Sequence, residues 1–492
     1  MARFRRKRRK KTKEKMTGES PNASLAAMAP IIEQKGIFQS IHDGVDIPQK
    51  TLEYLPSDKL VIVILSMLSG NSTISDVNWT LRIDKPLLMA FGYSSCPDQS
   101  VLQDTLNAAT CENVEQLREV ATSLFAQHNL LSRQFHQLSG LESVTMDFDL
   151  SAQPCSKRAE GAAKGYFAKR KNTYGRQLAR VSVADTAEIV LDELYRGNTV
   201  SCVAFKEMVH QMERVLALEE KATRTRIRLR LDGGFGTDKN INFALSRGYH
   251  LLVKMYSGNR ARKLCQSVEN WSAVPTTRQQ LSRKSATRQA AFIQTPHRYC
   301  RKTRQIGIRT PNEKNKCGYS YCVIVTTDLT SCMSEVLADY DLPCGVCESV
   351  FCPDNQGLAL RKRRKHGFIA QQMLMLLTQI AHNLIVWIKQ WGIDAIALGQ
   401  RCEEWVEQIK RKWQTDFQTT ESIFNKSIAM LAERGIKRFT HQLFALAGTL
   451  TIKNGKLVRI VLKAGYPMID RIAIALTALL AETNVEIALG KP

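Results

Sequence analysis

Five short apolar runs between residues 144 and 255 constrain the fold more than anything else in this chain. Residues 144–150, 177–184 and 188–194 read as three successive strands with turns between them. Phe205, Met208, Val209, Met212, Val215 and Leu216 then recur at helical spacing, where positions three and four apart share a face. In 227–231, Ile227, Leu229 and Leu231 alternate with Arg228 and Arg230, which is the period of a strand. Residues 238–245 read as a short helix and 250–255 as a fifth strand. Three strands, helix, strand, helix, strand predicts an α/β domain on a mixed sheet.

Three acidic residues stand against these runs. Asp149 closes the first strand, Asp232 follows the fourth and leads into Gly233 and Gly234, and Glu348 heads a helical stretch expected to reach about Trp391. One carboxylate at a strand end is commonly a cap or a turn residue. Two from strand ends and one from a helix, in a basic chain, can hold two divalent cations against a phosphodiester. Such ions sit about 3.5–4 Å apart, one activating the attacking oxygen and one stabilising the leaving oxygen. The pattern points to an enzyme that cuts and joins DNA. Carboxylates suit hard Mg²⁺, with Mn²⁺ as a substitute, two ions per active site. Asp147 shares the strand face of Asp149 and is its rival for the first position. Gly233 and Gly234, without side chains, are expected to let backbone and metals approach the DNA.

The net charge is +24, and its placement is informative. Residues 1–15 hold ten Lys and Arg against one acid, and residues 257–317 hold fourteen against two. The remaining chain is nearly neutral, so two local basic surfaces face a polyanionic partner, DNA, unless they are a solvated tail and loop. Backbone contacts from these segments predict strong salt dependence. Lys164, Lys169, Arg170, Lys171 and Arg176 interleave with Tyr166, Phe167 and Tyr174, which suits tracking along a strand. Arg298, Arg301 and Lys302 extend the insertion's basic surface. Lys362, Arg363 and Arg364 offer further phosphate contacts, or else a solvated helix face.

Thirteen cysteines are scattered, and no apolar stretch follows the basic N-terminus, which predicts reduced thiols in a cytosol. Cys344 and Cys347 lack a second pair at zinc-ribbon spacing. The most apolar helix, 373–388, carries Gln379, His382 and Asn383, too polar for a membrane span. The expected organisation is a disordered basic arm and linker (1–30), then an N-terminal helical region for DNA or dimer contacts (31–140). The core's first part (141–256), a separate β-rich insertion (257–335) and the core's second part (336–392) follow. A C-terminal helical region (393–492) closes the chain, with a hairpin turning at Asn454 and Gly455.

The chain resembles bacterial insertion-sequence DDE transposases, more narrowly the insertion-sequence-four-type superfamily, whose RNase H-like core is split by a β-rich insertion. The resemblance covers most of residues 50–480. It is carried by Asp232-Gly-Gly-Phe-Gly-Thr-Asp238, by Lys164 to Phe167, by Gln371 and Gln372, and by Ala381 to Leu384. Spacings of 83 residues from Asp149 to Asp232 and 116 from Asp232 to Glu348 suit this group. The resemblance implies Asp149, Asp232 and Glu348 as the catalytic, metal-binding triad. It implies recognition of terminal repeats, phosphodiester hydrolysis and joining of the 3′-hydroxyl to target DNA. It also implies a homodimer that pairs two ends, in the cytoplasm of a bacterium near its nucleoid. Trp271 would stack on a flipped base, or else pack inside the insertion. In this superfamily the helical Glu follows a Tyr and an Arg and precedes a Lys. Tyr340 matches, whereas Pro343 and Asn355 stand near the expected Arg and Lys. The alternatives are a catalytically decayed copy that only binds DNA, and an RNase H-fold nuclease or resolvase.

Overall fold

A computed structural model describes residues 15–50, 53–137, 142–165, 167, 172–282, 284–315, 317–346, 351–413 and 417–490. The chain forms two units. One comprises Met1–Ala121, Asp354–Arg363 and Leu376–Pro492, and the other Thr122–Pro353 and Arg364–Met375.

The second unit carries a mixed ten-stranded sheet. Its strands are β2 (Val144–Pro154), β3 (Ala163–Lys164), β4 (Tyr174–Val183), β5 (Ile189–Arg196), β6 (Ile227–Leu231) and β7 (His250–Lys254). They continue with β8 (Ser272–Ala273), β9 (Gln289–Phe292), β10 (Arg304–Pro311) and β11 (Tyr319–Thr326); β1 lies in the other unit. Across the sheet the order is β5-β4-β2-β6-β7-β11-β10-β9-β8, with β3 on the end of β4. β4 is antiparallel to β5 and β2, whereas β2, β6 and β7 are parallel.

Two expectations are corrected here. The 257–335 segment forms no sheet of its own, because β11 pairs antiparallel with β7, Lys254 beside Ile324. Leu252, Ile324, Ile306, Ile308 and Ala290 thereby make one continuous apolar face, covered by Val336 and Leu337 of the helix Met333–Val346. Extending the existing sheet buries that face, which an isolated small sheet would leave in water. The helical stretch expected from Glu348 onward is also broken. It runs as Met333–Val346, Cys352–Gly357 and Phe368–Gly399, so the long helix begins twenty residues past Glu348. Ala359 interrupts it in the left-handed region at φ 53°. The basic run 361–366 is therefore no helix face, and Arg363 and Lys365 within it are buried.

Asp328 closes the turn from β11 into the helix Met333–Val346, accepting N–H bonds from Thr330 and Ser331, both at 2.9 Å. Desolvation pushes its pKa up, but the bonds from Ser331 and Thr330 outweigh it and hold the carboxyl at about 2. A depressed carboxylate contributes stability above its ordinary pKa and loses it as pH falls toward 2. Asp328→Ala is therefore expected to lower the melting temperature at pH 7 and to make less difference near pH 2.

The first unit joins the two ends of the chain. β1 (Lys15–Ser20) pairs antiparallel with β12 (Gly448–Lys453), which pairs in turn with β13 (Lys456–Leu462), flanked by β14 (Glu486–Leu489). Residues 15–30 are thus no linker. Leu25, Ala26, Met28 and Ile31 are buried, and Ala23 donates its N–H to Leu446 O at 2.8 Å. The N-terminal and C-terminal helical regions form one body. Asn454 and Gly455, at φ 53° and 73°, make the tight turn their sequence predicts. At that turn Lys15, Lys453 and Lys456 stand in register across three strands. The helix Phe368–Gly399 is long and apolar enough to cross a membrane, yet 94% of its most apolar window is buried in protein.

Candidate active site

β2 and β6 run parallel, with Val144 beside Ile227 and Phe148 beside Leu231. β6 ends there, so that Asp149, the next residue of β2, and Asp232, the first residue after β6, each follow this last pair. Alternation puts Thr145, Asp147 and Asp149 on one face with Arg228 and Arg230, and Asp232 follows directly after β6. The first two steps of this ladder are closed. Arg228 donates to Thr145 Oγ1 at 3.1 and 2.7 Å, and Arg230 grips Asp147 with two bonds of 2.6 and 2.8 Å. Both guanidiniums also reach Asp339 of the helix Met333–Val346, at 2.6 Å from Arg228 and 3.1 Å from Arg230, and so tie that helix to the face. Burial alone would lower the Arg230 pKa, but the bonds and charge of Asp147, with Asp339, raise it. Asp147 is thereby committed to an arginine, whereas Asp149 is the residue of β2 that follows its last pair with β6.

On its other side Asp149 lies opposite Arg180 of β4. Arg180 is fully buried, pairs with the buried Asp192 of β5 at 2.8 and 2.7 Å, and lies 4.4 Å from the centre of the Phe351 ring. On β7, Lys254 follows the last pair with β6, Leu231–Val253, and its charge acts on Asp232. A charged row, Asp192, Arg180 and Asp149 on β5, β4 and β2, leads toward Asp232, just past the end of β6, and Lys254 at the end of β7. Glu348 lies outside the described residues. The chain on either side of it touches this row's surroundings, through Asp339 on Arg230 before it and Phe351 on Arg180 after it.

The opposite face fixes both acid-bearing segments. Phe148, next to Asp149, and Phe235, three residues past Asp232, pack with Phe205 of the helix Ser201–Val215, their ring centres 5.7–6.3 Å apart. Phe205→Ala is expected to cost about 3–5 kcal/mol in urea unfolding, because the cavity opens under both segments. The glycines after Asp232 are shaped by this packing. A Cβ on Gly234 would lie 2.8 Å from Ser201 Oγ, and one on Gly236 would lie 1.9 Å from Lys254 O. The expectation that Gly234 makes room for DNA is thus revised, since the room is taken by Ser201.

Asp232 Oδ1 accepts the Gly234 N–H at 2.9 Å. Solvent reaches this carboxylate, yet the protein crowded around it still desolvates it. Burial raises its pKa, and the Gly234 and Phe235 N–H groups and the Lys254 charge only partly oppose the rise. Asp232, disfavoured as an anion, and Asp149 on the neighbouring strand are carboxylates that a divalent cation would stabilise. Their oxygens suit a hard ion such as Mg²⁺. Among the described residues no third His, Cys, Asp or Glu joins the pair.

The residues expected at DNA separate into three groups. Arg176 is turned inward, bonding the carbonyls of Glu160, Lys365 and His366 at 2.7, 3.1 and 2.6 Å and stacking on Phe368. Arg301 bonds the Tyr249 carbonyl at 3.0 Å. Arg363 is buried on the carbonyls of Leu358 and Asn71, and burial lowers its pKa to about 10. Tyr340 packs against the apolar cluster under its helix. Trp271 is half-buried, donates to Val268 O at 3.2 Å, and has the Arg309 guanidinium 4.6 Å above its ring. Lys164, Arg298, Lys302, Lys362 and Arg364 are exposed. Lys169, Arg170 and Lys171 lie outside the described residues. Arg180, Arg230 and Lys254 escaped the sequence reading, although each sits on a strand position that alternation places on the acidic face.

Residues 5–403 match the family described as transposase DDE domain group 1. No curated protein matches the chain. Among solved structures it is similar to piggyBac transposase in a synaptic complex with hairpin DNA. The identity is 10% and the TM-score 0.40, over 87% of this chain and 82% of that one.

Proposed function

Since the chain belongs to the transposase DDE domain group 1 family, we propose that it is a cut-and-paste DNA transposase of the insertion-sequence-four type. It binds the terminal repeats of its mobile element, hydrolyses a phosphodiester at each end and joins the freed 3′-hydroxyl to target DNA. The observation that carries this reading is that Asp149 and Asp232 each come directly after Phe148–Leu231, the last pair between the parallel strands β2 and β6. The order β5-β4-β2-β6-β7, antiparallel on one side of β2 and parallel on the other, supports an RNase H-like core.

Asp149, Asp232 and Glu348 are the residues that would hold two Mg²⁺ ions. When bound, the ions supply Lewis-acid charge at the attacking and leaving oxygens. Asp232 is held in place by the Gly234 N–H, and Asp149 by its pairing opposite Arg180 of β4. The Arg230–Asp339 pair fixes the helix that leads to Glu348. Two copies pair the two ends, in the cytoplasm of a bacterium and close to its nucleoid.

Phosphate contacts come from the exposed lysines and arginines. At the Asn454–Gly455 turn three lysines stand side by side, an arrangement that self-repels unless an anion lies across it. Nine further Lys and Arg precede Lys15 in the sequence. Replacing Lys15, Lys453 and Lys456 with Ala is expected to flatten the plot of log binding constant against log salt by about 2–3, read by fluorescence anisotropy on duplex DNA.

The test of the function is incubation of the protein with Mg²⁺, a duplex carrying the element's terminal repeat, and a target plasmid. Cut ends joined to the plasmid are the expected products. Cutting without joining would make the protein a nuclease or resolvase. End binding without cutting would make it a decayed copy, with Pro343 and Asn355 the positions to revert first.

A further inference from the structure

We propose that Lys254 is a substrate-contacting residue of this site, its ammonium group holding a non-bridging oxygen of a DNA phosphate next to the bond that is cut. The inference rests on the transposase reading and adds to it a residue outside the acidic triad. Lys254 ends β7 one residue past its last pair with β6, on the face that carries Asp147, Asp149 and Arg230, and its charge acts on Asp232. The loop after Asp232 is moulded around it. A Cβ on Gly233 would lie 3.4, 3.6 and 3.8 Å from its Cδ, Cγ and Cε, and one on Gly236 would meet its carbonyl oxygen at 1.9 Å. Tyr256 N–H closes the same contact on Gly236 O at 2.9 Å.

The lysine stem is therefore laid along the loop, and only its end is left to reach outward. Among the described residues the Lys254 side chain makes no hydrogen bond and no ion pair. Arg180, the other cation of the row, is gripped by Asp192 through two bonds. A half-buried lysine whose charge is felt by Asp232 but whose side chain is bonded to no carboxylate among the described residues is a point charge available to a phosphate. A phosphate lying across Asp149 and Asp232 would have Lys254 on its flank, and a fixed positive charge there stabilises the negative charge that builds up during cleavage.

The test measures single-turnover cleavage of a terminal-repeat duplex by the full chain with Mg²⁺. Wild type, Lys254→Met and Lys254→Arg are compared, with Asp232→Ala as the control for the acidic site. Lys254→Gln serves as a second charge-free variant if Lys254→Met does not fold. Lys254→Met is expected to cut about 10²-fold more slowly with end binding and melting temperature unchanged, and Lys254→Arg to recover much of the loss. A set of duplexes with one phosphate near the cut replaced by a neutral methylphosphonate then separates contact from support. At the contacted phosphate the replacement slows wild type but leaves Lys254→Met no slower than before. Equal rates for wild type and Lys254→Met would overturn the proposal. So would a Lys254→Met penalty of the same size at every replaced phosphate. If wild type cuts and Asp232→Ala does not, the transposase reading stands whatever Lys254→Met does. If wild type cuts nothing, both fall together.

Discussion

Arg180→Met is expected to destabilise the protein by about 3–5 kcal/mol, read from the midpoint of urea unfolding. Arg180 and Asp192 are both shut off from solvent, and their two bonds of 2.8 and 2.7 Å are the reason the pair tolerates burial. Removing the guanidinium strands the Asp192 carboxylate in a medium that charges it poorly, and Phe351 loses the cation against its ring. Removing both charges together is less harmful, because an apolar pair needs no solvation. Arg180→Met with Asp192→Leu should therefore recover much of the loss. A single-variant cost under about 1 kcal/mol would mean that Asp192 finds water or another cation.

The second large effect separates two neighbouring acids. Asp149→Asn is expected to slow terminal-repeat cleavage by at least about 10³-fold. Asp147→Asn is expected to act on stability instead. It takes the charge from a buried guanidinium, costing about 2–3 kcal/mol, and the molecules that remain folded should cut. Asp232→Asn pairs with Asp149→Asn in activity and also acts on stability. Burial raises the Asp232 pKa, so the folded protein holds that proton more tightly than the unfolded chain. That contribution is present below the ordinary carboxylate value and is lost as pH rises through the raised one. Without divalent ions, Asp232→Asn should then melt higher than wild type at pH 7 and lose that advantage in acid. Faster cleavage by Asp149→Asn than by Asp147→Asn would exchange their roles.

The parts of this site legible in the sequence are those governed by local period. Alternation in 227–231 separates Ile227, Leu229 and Leu231 from Arg228 and Arg230, and Asn454–Gly455 announces its own turn. Pairing between distant segments has no such signal. β1 is the polar hexapeptide Lys15 to Ser20, and it becomes a strand because residues more than 400 positions away offer an edge. The insertion's strands were visible, but that β11 would dock on β7 depends on the apolar face they complete together. Charge was the least legible property. Arg176 and Arg363 look in sequence like Lys164 and Lys362, yet the first two bond buried carbonyls and the others meet water. A guanidinium with five donors is suited to both settings, and only the fold decides between them.

The central claim is that Asp149 and Asp232 hold the catalytic cations. Its most direct test is Mn²⁺ binding to the protein on terminal-repeat DNA, counted by electron paramagnetic resonance for wild type, Asp147→Asn, Asp149→Asn and Asp232→Asn. The account predicts two bound ions per active site in wild type and in folded Asp147→Asn, with at least one ion lost in each of the other two variants. Mn²⁺ binding of unchanged number and affinity in Asp149→Asn and Asp232→Asn would contradict it.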